Sequence, residues 1–313
     1  MRKQLRRLKN NIKRYLSKRK FINKIDIKSD EWFFILPYGI GDLYLFISLL
    51  NAFKRENNSQ NVSIGLVKQF QSQLFEVFDV QINRIVIINN NELQFCSRNS
   101  LSIGKPIILH PEYFFPKSFY SLIGYKGITL NDVYKLMLNL PIQTKNEKPI
   151  LNQIHLVAAN TKYNLYNPER NKTVLLSPHA NSFDENTIAF EFWQKLTEEL
   201  NLMDYRVLIN SNKQPFIDLK HVVPVDFSLT EAIPFVEHCE FFIGVRSGFC
   251  DLISTAKTKK IIIYPDMNWY TGTYLTGSGL YNMGLANDPI TEIEIGKNST
   301  EIDLLNILNI INT

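Results

Sequence analysis

Two short segments, Pro37-Tyr38-Gly39-Ile40-Gly41-Asp42 and Gly244-Val245-Arg246-Ser247-Gly248-Phe249-Cys250-Asp251, lie far apart in the chain but share one pattern. Each follows a short apolar run and opens an apolar-periodic stretch, so each reads as a strand–turn–helix junction. Helix N-termini present free N–H groups and the positive end of a dipole, which is where an α/β protein holds anions. One junction brings a carboxylate and the other a guanidinium. The chemistry they suggest is a base facing a phosphate-bearing donor across a cleft.

Each residue also has a duller reading. Gly39 and Gly41 allow a sharp turn and a close approach of ligand to backbone. Asp42 is either a helix cap, worth about 1 kcal/mol, or a base that takes a proton from a hydroxyl nucleophile. Its place at the carboxyl end of the first strand, where open α/β sheets bind ligands, favours the base. Arg246 beside Ser247 and Gly248 is either a bidentate phosphate contact or the partner of Asp251 or Glu240. Ser177-Pro178-His179-Ala180-Asn181-Ser182 ends the first strand of the second half, where Ser177 and His179 would meet a donor phosphate or sugar, or His179 simply caps the loop. His110, after Ile107–Leu109, is a further candidate for the cleft or for a second substrate. Asp266 is a ligand for a sugar or ribose hydroxyl, or a turn residue. No His, Asp or Glu grouping has metal-binding spacing, so neither a metal nor another cofactor is expected.

These residues need elements to hold them. Trp32–Leu36 is a continuous apolar run ended by Pro37, as a buried parallel strand would be. A helical period follows to about Arg55, then a strand over Val62–Val67, a helix over Lys68–Phe78 and strands over Arg84–Ile88 and Ile107–Leu109. The rhythm lapses over 141–172, which reads as the connection between domains. It restarts with strands at Thr173–Ser177, Tyr205–Ile209, His221–Val225, Phe241–Ile243 and Lys260–Tyr264, and with helices at Thr187–Leu200, Ser228–His238 and Phe249–Ala256. The expected fold is α/β: two Rossmann-like doubly wound domains. The divisions are a basic helical arm over 1–30, an N-terminal Rossmann-like domain over 31–150 and a C-terminal Rossmann-like domain over 171–313. The last helix, Glu301–Ile311, could pack back on the first domain.

The net charge of +5 is unevenly placed. Residues 1–25 hold eleven Lys or Arg and no acid, which leaves the rest at −6. Leu5, Leu8, Ile12, Tyr15 and Leu16 recur at helical spacing among those cations. A basic amphipathic helix of this kind lies on an anionic membrane surface, or packs its stripe on its own domain. A positive arm on an acidic body speaks against nucleic acid as a partner. No apolar run approaches the roughly 20 residues of a membrane span, and the basic start lacks the apolar segment of a secretory signal. Three cysteines without CxxC spacing suggest neither disulfides nor zinc. The expectation is a cytoplasmic protein, peripheral on the inner face of the cytoplasmic membrane.

With these residues in view the chain resembles the GT-B glycosyltransferases, in particular the heptosyltransferase-like glycosyltransferase family 9. Ile35-Leu36-Pro37-Tyr38-Gly39-Ile40-Gly41-Asp42, followed by Leu49 and Leu50, looks like that family's opening strand and Gly-Asp helix start. Leu175-Leu176-Ser177-Pro178-His179-Ala180, then Phe190 and Trp193-Gln194-Lys195-Leu196, is similar to its second-domain strand and helix. Ser228-Leu229-Thr230-Glu231-Ala232 through Phe242-Ile243-Gly244-Val245-Arg246-Ser247-Gly248 looks like its donor-phosphate segment. The resemblance implies a nucleotide-sugar donor on the second domain, a surface glycan or lipid-linked saccharide as acceptor on the first, Asp42 as base and the Arg246–Gly248 segment facing the diphosphate. It implies an inverting hexosyl- or heptosyltransferase that needs no bound metal. Two features depart from the family. Asp184-Glu185-Asn186 stands where a lysine is usual, and Arg246-Ser247-Gly248 replaces the usual Asp-Ser/Thr-Gly. Both bear on the donor, so heptose is not assumed. Two other functions fit the same build: a nucleotide-sugar epimerase, with His110 or His179 as second acid–base group, and a non-catalytic membrane-associated nucleotide-binding protein.

Overall fold

The computed structural model describes residues 15–96, 104–167, 172–183, 187–211, 213–286, 290–296 and 301–312. Its first domain opens with helix α1 over 15–25. Strand β1 (Trp32–Leu36) is buried along its whole length, as a run without polar alternation must be when both sheet faces are covered. Helix α2 (Ile40–Glu56) follows, then β2 (Val62–Leu66), β3 (Ile85–Ile87), the one-turn helix α3 (Asn90–Leu93) and β4 (Pro106–Ile108). These strands form a parallel sheet in the order β3-β2-β1-β4. Gln69–Val77, expected as an α-helix within Lys68–Phe78, is instead a 3₁₀ helix. Two further single turns, α4 (Pro111–Phe114) and α5 (Lys117–Tyr120), lead to α6 (Leu130–Met137).

The interval read as a connection holds a helix. Residues 141–152 run back over the first domain, with Glu147 N donating to Ser48 O and Ile150 N to Val77 O, both at 2.8 Å. Then α7 (Gln153–Tyr166) packs on the second domain, where the Tyr163 hydroxyl meets Thr173 Oγ1 at 2.6 Å and Lys162 pairs with Glu231 at 2.8 Å. The helix was hidden because Ile154, Val157 and Leu165 face solvent, so its apolar residues form no stripe.

The second domain consists of β5 (Thr173–Ser177), α8 (Phe190–Leu202), β6 (Arg206–Ile209), β7 (Val222–Pro224), α9 (Ala232–Glu237), β8 (Phe241–Val245), α10 (Gly248–Leu252) and β9 (Lys259–Pro265). A hairpin of β10 (Asn268–Trp269) and β11 (Gly272–Thr273), the helix α11 (Tyr274–Ser278), the edge strand β12 (Ile290–Ile295) and α12 (Glu301–Ile311) complete it. The six-stranded parallel sheet has the order β12-β9-β8-β5-β6-β7. Both sheets are therefore Rossmann-like, and the fold class is the one expected.

One expectation about the ends of the chain changes. The last helix does not return to the first domain: Leu304, Ile307, Leu308 and Ile311 are buried with Val174, Leu176 and Trp193 on one face of the second sheet. At the other end, α1 covers the first sheet, burying Phe21 and Ile25 against Phe33, Ile35 and Ile108. Tyr15 and Leu16 of the expected amphipathic stripe are exposed; Leu5, Leu8 and Ile12 lie outside the described residues. No helix among the described residues is long and apolar enough to cross a membrane.

Candidate functional site

In each sheet one strand pair marks where the winding reverses: β1 and β4 in the first, β5 and β8 in the second. Loops leaving a reversal diverge and open a crevice at the carboxyl ends of the strands. Asp42 follows β1, His110 follows β4, Ser177 and His179 close or follow β5, and Arg246, Ser247 and Gly248 follow β8. All of them line one cleft of about 880 Å³, together with Gly39 and Gly41. Asp266 is different: it is exposed, its backbone N–H is tied to Ile295 O at 2.9 Å, and it lies outside the cleft lining, where its neighbour Met267 stands instead.

The two junctions touch through their glycines. A Cβ on Gly248 would lie 2.2 Å from Gly41 N, and one on Gly41 would lie 2.6 Å from Asp251 Oδ2. Only residues without side chains let the starts of α2 and α10 approach this closely, so the glycines set the distance between the lobes.

Asp42 lies in the first turn of α2, whose N-cap Gly39 makes no side-chain cap bond. Its Oδ1 accepts a hydrogen bond from the Tyr134 hydroxyl at 2.7 Å, and His110 Nε2 lies 3.9 Å away. Tyr134 is fully buried on α6; burial, then the Asp42 charge, hold its phenol well above the usual range, so it stays a donor. His110 Nδ1 accepts from Glu112 N at 3.3 Å, which places the ring proton on Nε2, facing Asp42. Burial lowers the pKa of His110 against the opposing pull of Asp42 and Glu112, which favours the neutral ring.

Arg246 does not present an open fork. Its guanidinium donates to Asp251 through Nη1 (3.0 Å) and Nη2 (2.7 Å), to Ser247 O at 2.5 Å and, through Nε, to Ser278 O at 2.9 Å. Of the two readings of this residue, pairing with Asp251 is the one present, and the pair is buried rather than at the surface. Burial works against the arginine charge, but the Asp251 carboxylate outweighs it and holds Arg246 protonated. A guanidinium with four of five N–H groups committed braces the loop against α10 and α11, and its ability to fork a phosphate is correspondingly reduced.

A different cation stands beside the cleft. Lys213, in the loop after β6, donates from Nζ to His179 Nε2 at 2.6 Å and to Asn181 Oδ1 at 3.2 Å. The sequence reading missed Lys213, Tyr134 and Glu112. The capping box Thr129-x-x-Asp132 was a local signal for the helix carrying Tyr134, but nothing local joins Tyr134 to Asp42 or Lys213 to His179. Among the described residues no three His, Cys, Asp or Glu side chains gather as a metal set.

No family model and no curated protein matches the sequence. Solved structures do resemble the fold. The ADP-heptose lipopolysaccharide heptosyltransferase II of E. coli aligns over 90% of this chain and 97% of its own, at 10% identity and a TM-score of 0.60. A glycosyl transferase family 9 protein of Veillonella parvula aligns over 92% and 91%, at 12% identity and a TM-score of 0.55. The E. coli heptosyltransferase WaaC with ADP aligns over 90% and 99%, at 10% identity and a TM-score of 0.54. At such identities the likeness is one of fold, and it covers most of the molecule: the chain has the GT-B architecture of the family 9 heptosyltransferases, two Rossmann-like domains on either side of a cleft.

Proposed function

We propose that the protein is an inverting glycosyltransferase that moves a sugar from a nucleotide-sugar donor to a hydroxyl of a surface glycan or lipid-linked saccharide, without a bound metal. One observation carries the reading. The Asp42 carboxylate sits at the head of a long helix in the cleft, held by a buried tyrosine and faced by the loops of the other domain. The fold likeness to ADP-heptose enzymes supports a nucleotide-sugar donor; the sugar is left at hexosyl or heptosyl.

In this reading Asp42 takes the proton of the acceptor hydroxyl. Tyr134 occupies one lone pair of the carboxylate and fixes its direction, leaving others for the substrate proton. The acceptor oxygen attacks the anomeric carbon as the bond to the diphosphate breaks. Negative charge grows on the diphosphate, where the N–H groups of Ser247 and Gly248 and the Lys213–His179 pair would receive it. Ser177 would contact the donor beside them. Arg246 acts on the donor through the loop it braces. The basic arm would bring the enzyme to an anionic membrane surface carrying the acceptor.

Asp42→Asn keeps size and hydrogen bonding but removes the base. Transfer should fall by about three orders of magnitude, while stabilisation by nucleoside diphosphates in thermal melts stays unchanged. Full activity in that variant would refute the base assignment. His110 Nε2, 3.9 Å from Asp42, is a second acid–base group at the same place. Product analysis with donor alone separates epimerisation from transfer, since only an epimerase would turn the donor into its isomer.

A further inference from the structure

The loops after β1 and β4 and the β10–β11 hairpin build an aromatic wall on one side of Asp42. Tyr38 stands edge-on to the His110 ring at 4.3 Å and 6.2 Å from Tyr113. From the second domain, Trp269 and Tyr270 (4.8 Å apart) complete the wall, and Tyr120 packs behind Tyr270 at 5.6 Å. The Tyr270 hydroxyl donates to Glu112 Oε1 at 3.3 Å, bridging the two domains. Tyr38, Glu112, Trp269 and Tyr270 all line the cleft, and Tyr38 is 42% exposed.

The hairpin is held in place for this. Thr271 donates twice to Ile123 O of the first domain, from N at 3.3 Å and Oγ1 at 3.1 Å. Gly272 and Gly124 approach so closely that a Cβ on Gly124 would lie 2.8 Å from the Gly272 backbone. Between them Tyr270 adopts a positive φ of 54°, at a turn position where tight hairpins ordinarily carry glycine. A bulky residue held there is strained, and its ring is the part that faces Glu112 and the cleft.

The charged groups that the loop after β4 and the hairpin turn toward the cleft are of one sign. Asp42 and Glu112 are the wall's carboxylates, and no Lys or Arg among the described cleft-lining residues belongs to the loop after β4 or to the hairpin. The cleft's Lys68 follows β2, on the side of Tyr38 away from β4, where its Nζ lies 5.8 Å from the Phe70 ring centroid. Lys213 and the Arg246–Asp251 pair belong to the second-domain loops after β6 and β8. At the Glu112–Tyr270 end of the wall a phosphate or carboxylate would meet the like charges of Asp42 and Glu112, with no cation from the loop after β4 or the hairpin lining the cleft there. The C–H face of a pyranose, by contrast, packs on aromatic rings, and its hydroxyls donate to a carboxylate.

We propose that this wall is the acceptor subsite and that it takes an uncharged pyranose, stacked between Tyr38 and Tyr270 and hydrogen-bonded to Glu112, with its reacting hydroxyl at Asp42. The proposal rests on the glycosyltransferase reading for the identity of the subsite, but its ligand chemistry is testable without any donor. Saturation-transfer NMR on the full-length protein would use the methyl glycosides of glucose, galactose and mannose as probes, beside their 6-phosphates and the corresponding uronic acids. At least one uncharged glycoside should receive saturation, and the anionic sugars should receive none. Tyr38→Ala and Tyr270→Ala should each weaken the signal roughly tenfold. Glu112→Gln, which keeps the shape, should weaken it less, and melting curves of all three variants check that they are folded. Anionic sugars binding as well as uncharged ones, no uncharged glycoside binding, or a signal indifferent to both tyrosine changes would overturn the proposal. A parallel melt with nucleoside diphosphates separates the two layers. Pyranose binding without nucleotide binding would keep the saccharide site and remove the transferase reading. Nucleotide binding without pyranose binding would do the reverse.

Discussion

Arg246 shows how a residue type can be right for a site and still serve it indirectly. Its bond set to Asp251, Ser247 O and Ser278 O makes it a buried brace. Removing one member of a buried ion pair leaves the other charged and unpartnered, which costs about 3–5 kcal/mol. Arg246→Ala should therefore lower the urea midpoint sharply. The apolar double change Arg246→Met with Asp251→Leu should recover much of the loss. If Arg246→Ala leaves stability intact but abolishes nucleotide binding, the residue is a direct ligand and the brace description fails. The sequence left Arg246 as a phosphate contact or as the partner of Asp251 or Glu240. The pairing depends on burial, which strips Arg246 of water and makes the Asp251 carboxylate, on the α10 helix that follows, its best neighbour.

At the scale of elements, the meeting of α2 and α10 holds the two strand–turn–helix junctions in register. A methyl on Gly248 would collide with the Gly41 backbone, which cannot swing aside as a flexible side chain could. Gly248→Ala should push the helices apart, destabilise the fold by about 1–3 kcal/mol and depress turnover more than nucleotide binding. Gly39→Ala, with open space around its Cβ, is the control and should be mild. An equal effect of both changes would show that loop flexibility, and not contact, is what matters. Two elements that escaped sequence reading have a shared cause. Helix α7 and the β10–β11 hairpin owe their form to what they pack on: Thr173 and Phe235 for the helix, Ile123 and Gly124 for the hairpin. Strands buried on both faces, such as β1, β5 and β8, need no partner to be recognised, because their unbroken apolar runs are already unusual.

For the whole molecule, the charge divides between a basic N-terminal arm and an acidic body. Helix α1 fastens the arm to the first sheet through Phe21 and Ile25, while Tyr15, Leu16 and Ile22 remain exposed on it. If the arm meets a membrane, the full chain should co-sediment with vesicles rich in phosphatidylserine, and removal of residues 1–14 should reduce this by about tenfold or more. Raising the salt should weaken binding as the charges are screened. Equal sedimentation with and without the segment would assign the arm a purely structural role. The melting temperature should barely change, because Phe21 and Ile25 stay in the truncated chain.

The sequence by itself determined the two Rossmann-like halves and the junctions that carry Asp42, Ser177, His179 and Arg246, because strand burial and glycine turns are written in consecutive residues. Tertiary structure alone decided what those residues do to one another. It gave Asp42 a tyrosine from a helix 92 residues onward, turned Arg246 inward to Asp251, brought Lys213 to His179, left Asp266 outside the cleft and set a hairpin of one domain against the other. Each of these depends on distance in space between groups remote in the chain, and local patterning holds no record of that distance.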